Sequence, residues 1–230
     1  MPNRYRFAAD TTDTPVLRAR PDVELQPRGE LRVEKFLAAA TDVFFEKGYR
    51  GARLADIVQR AGGSLATLYR AFGDKEGLAY ALMERSIFNL GAGLQRLLHS
   101  DLPPEQALQE AAEHMVGEIL SRERIVCHRI VLCEGLNQPE MRDWFRVHGV
   151  VSIEKALSDY FARETAAGRL AIESPDIAAT AFYMIVFGSL ILRSVNGVVG
   201  PEHLPVAQAE ARERVKLFCA GALPRTQSQK

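Results

Sequence analysis

Nine residues, SLATLYRAF (64–72), lie boxed between two glycine breaks, Gly62-Gly63 before them and Gly73-Asp74 after. A helix that fits this space has only about two turns and cannot stand on intrinsic propensity. Ser64 is placed to cap its start. Leu68 and Phe72, four apart, give it an apolar back. Ser64, Thr67, Tyr69 and Arg70 are left over for another side. The chain must therefore supply a small scaffold behind this helix and a use for its front.

The flanking residues supply the scaffold. Val33, Phe36, Leu37, Ala40, Val43 and Phe44 follow the spacing of one buried helical face from Glu30 onward, and Gly48 closes it. Leu54, Ile57, Val58 and Ala61 repeat the pattern for a second, shorter helix. Asp74 caps a fourth, with Glu76 in its first turn and apolar residues as far as about Leu98. Beyond the break DLPPEQ, helical patterns run to about Leu120, through ERIVCHRIVLCEGL, and over 141–167, where Gly168 stops them. Ser174-Pro175-Asp176 then opens a helix over 175–195 as cap, first-turn proline and acid, and a last helix covers 205–220. No alternating run bounded by hairpin turns occurs, and no repeat of solenoid period. The expected fold is all-α. An N-terminal three-helix helix-turn-helix domain (28–75) continues into the helix over 74–98. A larger helical domain (79–222) comes next, with flexible tails at 1–27 and 223–230.

Composition narrows the function. The apolar share of 47% is ample for a core, and the charged share of 25% is ordinary. AFYMIVFGSLIL (181–192) is the most apolar stretch. It is followed by Arg193 and reads as a buried helix too short for a membrane span. The N-terminus lacks the apolar core of a signal peptide, so a cytoplasmic protein without a membrane partner is expected. Cys127, Cys133 and Cys219 form no C-x-x-C pair and are expected as inert thiols. The five histidines are scattered, and no G-x-S-x-G, P-loop or H-E-x-x-H occurs. Neither an enzyme, nor a metal site, nor a cofactor is expected. The net charge of zero hides a split: residues 1–100 carry 15 Lys/Arg against 12 Asp/Glu, and residues 101–230 carry 14 against 17. That sign suits a DNA-binding N-terminal end.

Three helices with a tight glycine turn between the second and third make a helix-turn-helix. Its third helix can enter the major groove, and helix starts with nearby amines can hold phosphates. The stretch FFEKGYRGARLADIVQRAGGSLATLYRAFGDKEGL (44–78) resembles the DNA-binding domain of the tetracycline-repressor (TetR) family. The matching fragments are F-x-E-x-G-Y, I-x-x-x-A-G, T-L-Y-x-x-F and D-K-E-x-L, in order and at the family spacing. The resemblance implies DNA contacts from Ser64, Thr67, Tyr69 and Lys75, with Tyr69 and Lys75 on phosphate. It implies base contacts from Leu65, Ala66, Thr67 and Arg70, and a phosphate contact from Arg53 at the start of helix two. Spacing alone would put Leu65 in the core with Leu68 and Phe72, so two placements of Leu65 stand against each other. Gly63 departs from the family's usual valine, which would leave a small core side chain missing and loosen the turn.

The resemblance further implies a palindromic double-stranded operator, a homodimer and a small-molecule effector. The helices over 175–195 and 205–220 are the expected dimer surface, with Phe182, Ile185, Val186, Ser189 and Leu217. Aromatic and soft residues in the larger domain suggest a mainly apolar ligand with a few polar handles: Met115, Cys127, Met141, Trp144, Phe145, Tyr183 and Phe187. Trp144 is the leading candidate, and His128 and Arg129 are the polar partners. The competing reading is an all-α protein whose helix-turn-helix serves protein contacts or an enzyme scaffold.

Overall fold

The structure, a computed structural model, describes residues 27–224. Of the expected tails at 1–27 and 223–230, residues 1–26 and 225–230 lie outside the described residues. The described residues contain helices and no strand. The head consists of α1 (Pro27–Gly51), α2 (Leu54–Ala61) and α3 (Leu65–Phe72). The long α4 (Lys75–Leu98) leads from it into the body. The body continues with α5 (Pro104–Ile119), α6 (Arg122–Glu134), α7 (Pro139–Phe145), α8 (Ser152–Ala166), α9 (Pro175–Tyr183), α10 (Ser189–Val195) and α11 (Leu204–Ala222).

Local chemistry explains the breaks. Gly48, Gly62 and Gly73 all take positive φ, where a side chain would be strained. Asp56 accepts from the Arg53 backbone N–H and also pairs with Lys47 at 2.9 Å, which ties α2 to α1. Asp74 Oδ1 accepts from the Gly77 N–H at 2.8 Å and starts α4. Ser174 makes no capping bond, contrary to expectation, and the opening of α9 relies on Pro175 and Asp176. Two expected single helices are each interrupted by a wider π-type turn, at Arg146–Val151 between α7 and α8 and at Met184–Gly188 between α9 and α10. Such turns carry no simple sequence signature.

Two apolar cores organise the chain. In the head, Phe36, Phe44, Ile57, Leu68 and Phe72 meet, with the Phe36 and Phe72 rings edge to face at 6.3 Å. Burying an apolar side chain of this size stabilises by about 1.5–3 kcal/mol, so Leu68 and Phe72 hold a helix too short to form alone. The same core runs on into the body through Val126, Cys127 and Ile130 of α6 and Met141, Trp144 and Phe145 of α7. The second core joins α5, α8, α9, α10 and α11. Its centre is aromatic: Phe161 stacks on Phe218 at 5.4 Å, and Phe182 meets Phe218 at 5.1 Å.

The run Pro175–Val195 has the bounds expected for it, and it is longer than the apolar stretch 181–192 that is too short for a membrane span. With a mean hydropathy of 1.7, it is long and apolar enough to cross a membrane by length and composition alone. Phe182, Val186, Phe187 and Leu190 bury its inner side in this chain's own core, and Arg193 pairs with Glu210 at 2.7 Å.

Candidate functional site

The front of α3 is open. Ser64, Leu65, Ala66, Tyr69 and Arg70 are exposed and Thr67 is partly so, while Leu68 and Phe72 are buried. Leu65 is 42% exposed, which settles its two placements in favour of the surface. The Ser64 hydroxyl accepts from the Thr67 N–H at 3.2 Å and lies 2.9 Å from the Thr67 hydroxyl, so both sit at the N-terminus of α3. Arg53 is exposed at the start of α2. Neither Arg53 nor Arg70 has an ion-pair partner among the described residues. The face is therefore cationic and hydroxylic with one aromatic and one aliphatic side chain. That mixture suits phosphate oxygens, base edges and thymine methyls.

Lys75 is engaged within the fold. Its ammonium donates to three backbone carbonyls, of Tyr49 at 2.9 Å, Arg50 at 3.4 Å and Ala52 at 3.3 Å, and lies 4.7 Å from the centre of the Tyr49 ring. It closes the end of α1, and all three of its donors have acceptors within the fold. Gly63 differs from its expected role. An added Cβ would sit 2.6 Å from Phe36 Cζ, so the Phe36 ring fills the space where a valine would stand, and the turn is closed rather than loose.

The body contains a cavity of two adjoining lobes, between α4, α5, α6 and the π-type turn at Arg146–Val151. The inner lobe is narrow, with a cavity volume of ≈ 10 Å³, about room for one water, and is lined by Met115, Arg124, His128, Phe145 and Tyr183 with aliphatic neighbours. The outer lobe has a cavity volume of ≈ 110 Å³, shares Leu90, Gly149 and Ile153 with the inner one, and adds Ile87, Leu94 and His148. Exposed Gln95 and Ser152 stand at its rim. Arg124 is one of the largest fully buried side chains. One of its terminal nitrogens donates to the Ser86 carbonyl, and its Nε–H meets no acceptor. Burial pushes its guanidinium below the usual arginine range. His128 Nδ1 is likewise buried without a partner, and burial together with the neighbouring Arg124 pushes its pKa down to about 3, so the ring is neutral at neutral pH.

Of the expected ligand residues, Met115, His128, Phe145 and Tyr183 come together around the inner lobe. The others do not line either lobe. Trp144 packs edge to face on Tyr80 at 5.8 Å and against the His148 ring at 4.8 Å, in the join between head and body. Met141 and Cys127 lie in that same core, and burial pushes the Cys127 thiol up to about 12. Phe187 belongs to the body core. Arg129 points away from the cavity: its side chain donates to the carbonyls of Val195 at 3.1 Å and Ser194 at 3.4 Å and lies over the Phe45 ring. Sequence reading missed Arg124, whose place in the sequence, at the start of α6, looks like that of a surface residue.

The expected dimer residues also divide. Phe182 and Val186 are fully buried in their own subunit, where ring and methyls build the body core. Ile185 at 47% exposure, Ser189, and Leu217 at 73% face outward, joined by Ile177, Met184 and Leu192. No group of His, Cys, Asp or Glu able to hold a metal occurs among the described residues.

An all-helical chain that presents such a helix-turn-helix on a cavity-bearing helical body has the architecture of a transcriptional regulator of the helix-turn-helix class. Residues 36–82 match the family model described as bacterial regulatory proteins, tetR family, and residues 106–221 match that of the AefR-like transcriptional repressor C-terminal domain. The chain belongs to the TetR family. It is 37% identical over 87 residues to the transcriptional activator FasR of Mycolicibacterium smegmatis, covering 38% of this chain and 39% of that one. The transcriptional repressor Rv3405c of Mycobacterium tuberculosis is 36% identical over 86 residues, 37% of this chain and 43% of its own length. The chain thus spans about two-fifths of the length of these curated relatives. Among solved structures, a TetR-family regulator from Mesorhizobium loti aligns over 86% of this chain and 100% of its own, at a TM-score of 0.71 and 20% identity. The flavonoid-responsive regulator FrrA aligns over 85% and 98%, at 0.58 and 25%.

Proposed function

We propose that this chain is a dimeric, sequence-specific DNA-binding transcriptional regulator, a repressor that a small and mainly apolar ligand releases from a palindromic operator. The observation that carries the reading is the front of α3. Five of its first residues and cap are exposed, two of them Tyr69 and Arg70, while the back of the same helix is held in the head core. The responsiveness of FrrA to flavonoids, on the same fold, supports a ligand in the body. The outward apolar face of α9, α10 and α11 supports pairing of two copies, which would set two α3 helices about one DNA turn apart.

A gel shift of the full chain against DNA flanking its own gene tests this. Binding is expected to weaken steeply with salt, because phosphate contacts release counterions. Tyr69→Ala with Arg70→Ala should lower operator affinity by at least about tenfold while the fold and dimer persist. Unchanged affinity in that double variant would remove α3 as the DNA-reading element. A reporter gene behind the bound sequence separates repression from activation.

A further inference from the structure

A charged group buried without a counter-charge is costly, and the cost falls when a partner of opposite charge arrives. Arg124 comes close to this case, since Glu118 and Glu123 act on it only from beyond ion-pair distance. Its guanidinium lines the inner lobe, is buried, and meets no carboxylate among the described residues. Its only acceptor there is a neutral carbonyl, that of Ser86. The Nε–H is a buried donor without an acceptor, on a side chain that lines the lobe. His128 and Tyr183, which line the same lobe, add ring groups able to donate or accept hydrogen bonds. The outer lobe contrasts with it: between Ile87, Leu94 and Ile153 it is aliphatic, with polar residues at its rim. The two lobes share Leu90, Gly149 and Ile153 and lie side by side, so one elongated molecule that spans both has to widen the inner lobe, which has room for about one water.

We infer that the effector is an amphipathic monocarboxylate, whose carboxylate pairs with Arg124 beside His128 and Tyr183 while its apolar body lies in the outer lobe toward Gln95 and Ser152. This rests on the regulator reading for its meaning, and its chemistry can be read without DNA. An arginine fork donates to two carboxylate oxygens in parallel, which gives the inner lobe selectivity as well as affinity. A cationic amphipath would meet an uncompensated like charge there. A neutral one would leave the guanidinium unpaired.

The test titrates the full-length protein, free of DNA, with octanoate, dodecanoate and phenylbutyrate, and with the matched neutral octanol and cationic octylamine. Calorimetry reads affinity. Fluorescence of Trp144, the chain's single tryptophan, reads occupancy through its contact with His148 at the outer lobe. At least one carboxylate should bind about tenfold or more tightly than the alcohol and the amine. Arg124→Gln should bring its affinity down to that of the alcohol, and Ile153→Trp, which fills the shared wall of the lobes, should abolish both. If the alcohol or amine binds as well as every carboxylate, or if no carboxylate binds at millimolar concentration, the assignment is overturned. The comparison of ligands on the unaltered chain decides the matter even if Arg124→Gln does not fold. A failed gel shift with intact carboxylate binding would remove the regulator reading and leave this one, and the converse result would do the reverse.

Discussion

At the scale of single residues, Gly63 and Phe36 show how a local rule can mislead. Read along the sequence, a glycine in place of valine removes a core methyl pair and loosens a turn. In space, the Phe36 ring from α1 stands within 2.6–2.9 Å of where the Cβ would be, so the volume is already taken. Gly63→Val is therefore expected to destabilise the head by about 1–3 kcal/mol, the usual cost of overpacking. Urea unfolding monitored by far-ultraviolet circular dichroism measures it. Phe36→Leu in the Gly63→Val background should recover a good part of the loss. A stabilising Gly63→Val would show that the ring moves aside freely. Lys75 teaches the same lesson. The motif D-K-E-x-L was legible and correctly opened α4, but the carbonyls that hold the Lys75 ammonium come from residues 49, 50 and 52, more than twenty positions earlier. Arg124 is the strongest case, since only the packing of α6 against α4 reveals its burial. Leu68, Phe72 and the Ser64 cap were legible because each depends on neighbours within one turn.

At the scale of elements, glycine, proline and capping residues marked nearly every helix, because these act through the backbone of adjacent residues. The π-type turns were not legible. They insert one residue into a turn without a special side chain, and each rotates the downstream residues relative to a regular helix. Both lie where side chains must divide between two surroundings. The turn at Arg146–Val151 brings Gly149 and Val150 to the cavity. The turn at Met184–Gly188 parts Met184 and Ile185, which face out, from Val186 and Phe187, which face in. Apolar composition alone could not separate these roles, which is why Phe182 and Val186 were expected at the dimer surface. Substitutions should separate them. Phe182→Ala removes a ring from the aromatic centre of the body and should cost about 3–5 kcal/mol. Ile185→Glu, on the open face, should leave the subunit folded but place a charge in the proposed interface. Sedimentation and thermal unfolding of the two variants are expected to give opposite results: an unstable dimer for the first, and a folded chain shifted to monomer for the second. A dimeric Ile185→Glu protein would move the interface elsewhere.

At the scale of the whole molecule, α6 is the element through which head and body share structure. Its inner residues, Arg124 and His128, line the cavity. Its other faces hold the head: Arg122 pairs with Asp42 at 3.5 Å, Glu134 pairs with Arg50 at 2.8 Å, and Glu123 pairs with Arg85, which also binds Glu34 of α1 at 2.6 Å. Arg129 joins three helices. One planar guanidinium caps the last carbonyls of α10 and covers Phe45 of α1 at 5.1 Å, and so touches the helix next to the proposed dimer face and the first helix of the head together. A ligand acts on DNA affinity only through its unequal affinity for two arrangements of these parts. A shift of α6 on filling the inner lobe would be carried to the head by Arg129 and the flanking ion pairs. Arg129→Met keeps the aliphatic stem and removes the donors. It should leave ligand affinity in the absence of DNA within about twofold and leave operator affinity without ligand nearly unchanged, while the ligand's effect on operator affinity falls by about fivefold or more, the lower end of ordinary allosteric coupling. The measurement is a thermodynamic cycle: operator binding with and without saturating ligand, for the unaltered chain and the variant. Equal coupling in both proteins would mean that the head responds to the cavity without passing through this residue, and the ion pairs Arg50–Glu134 and Arg85–Glu123 would be the next links to cut.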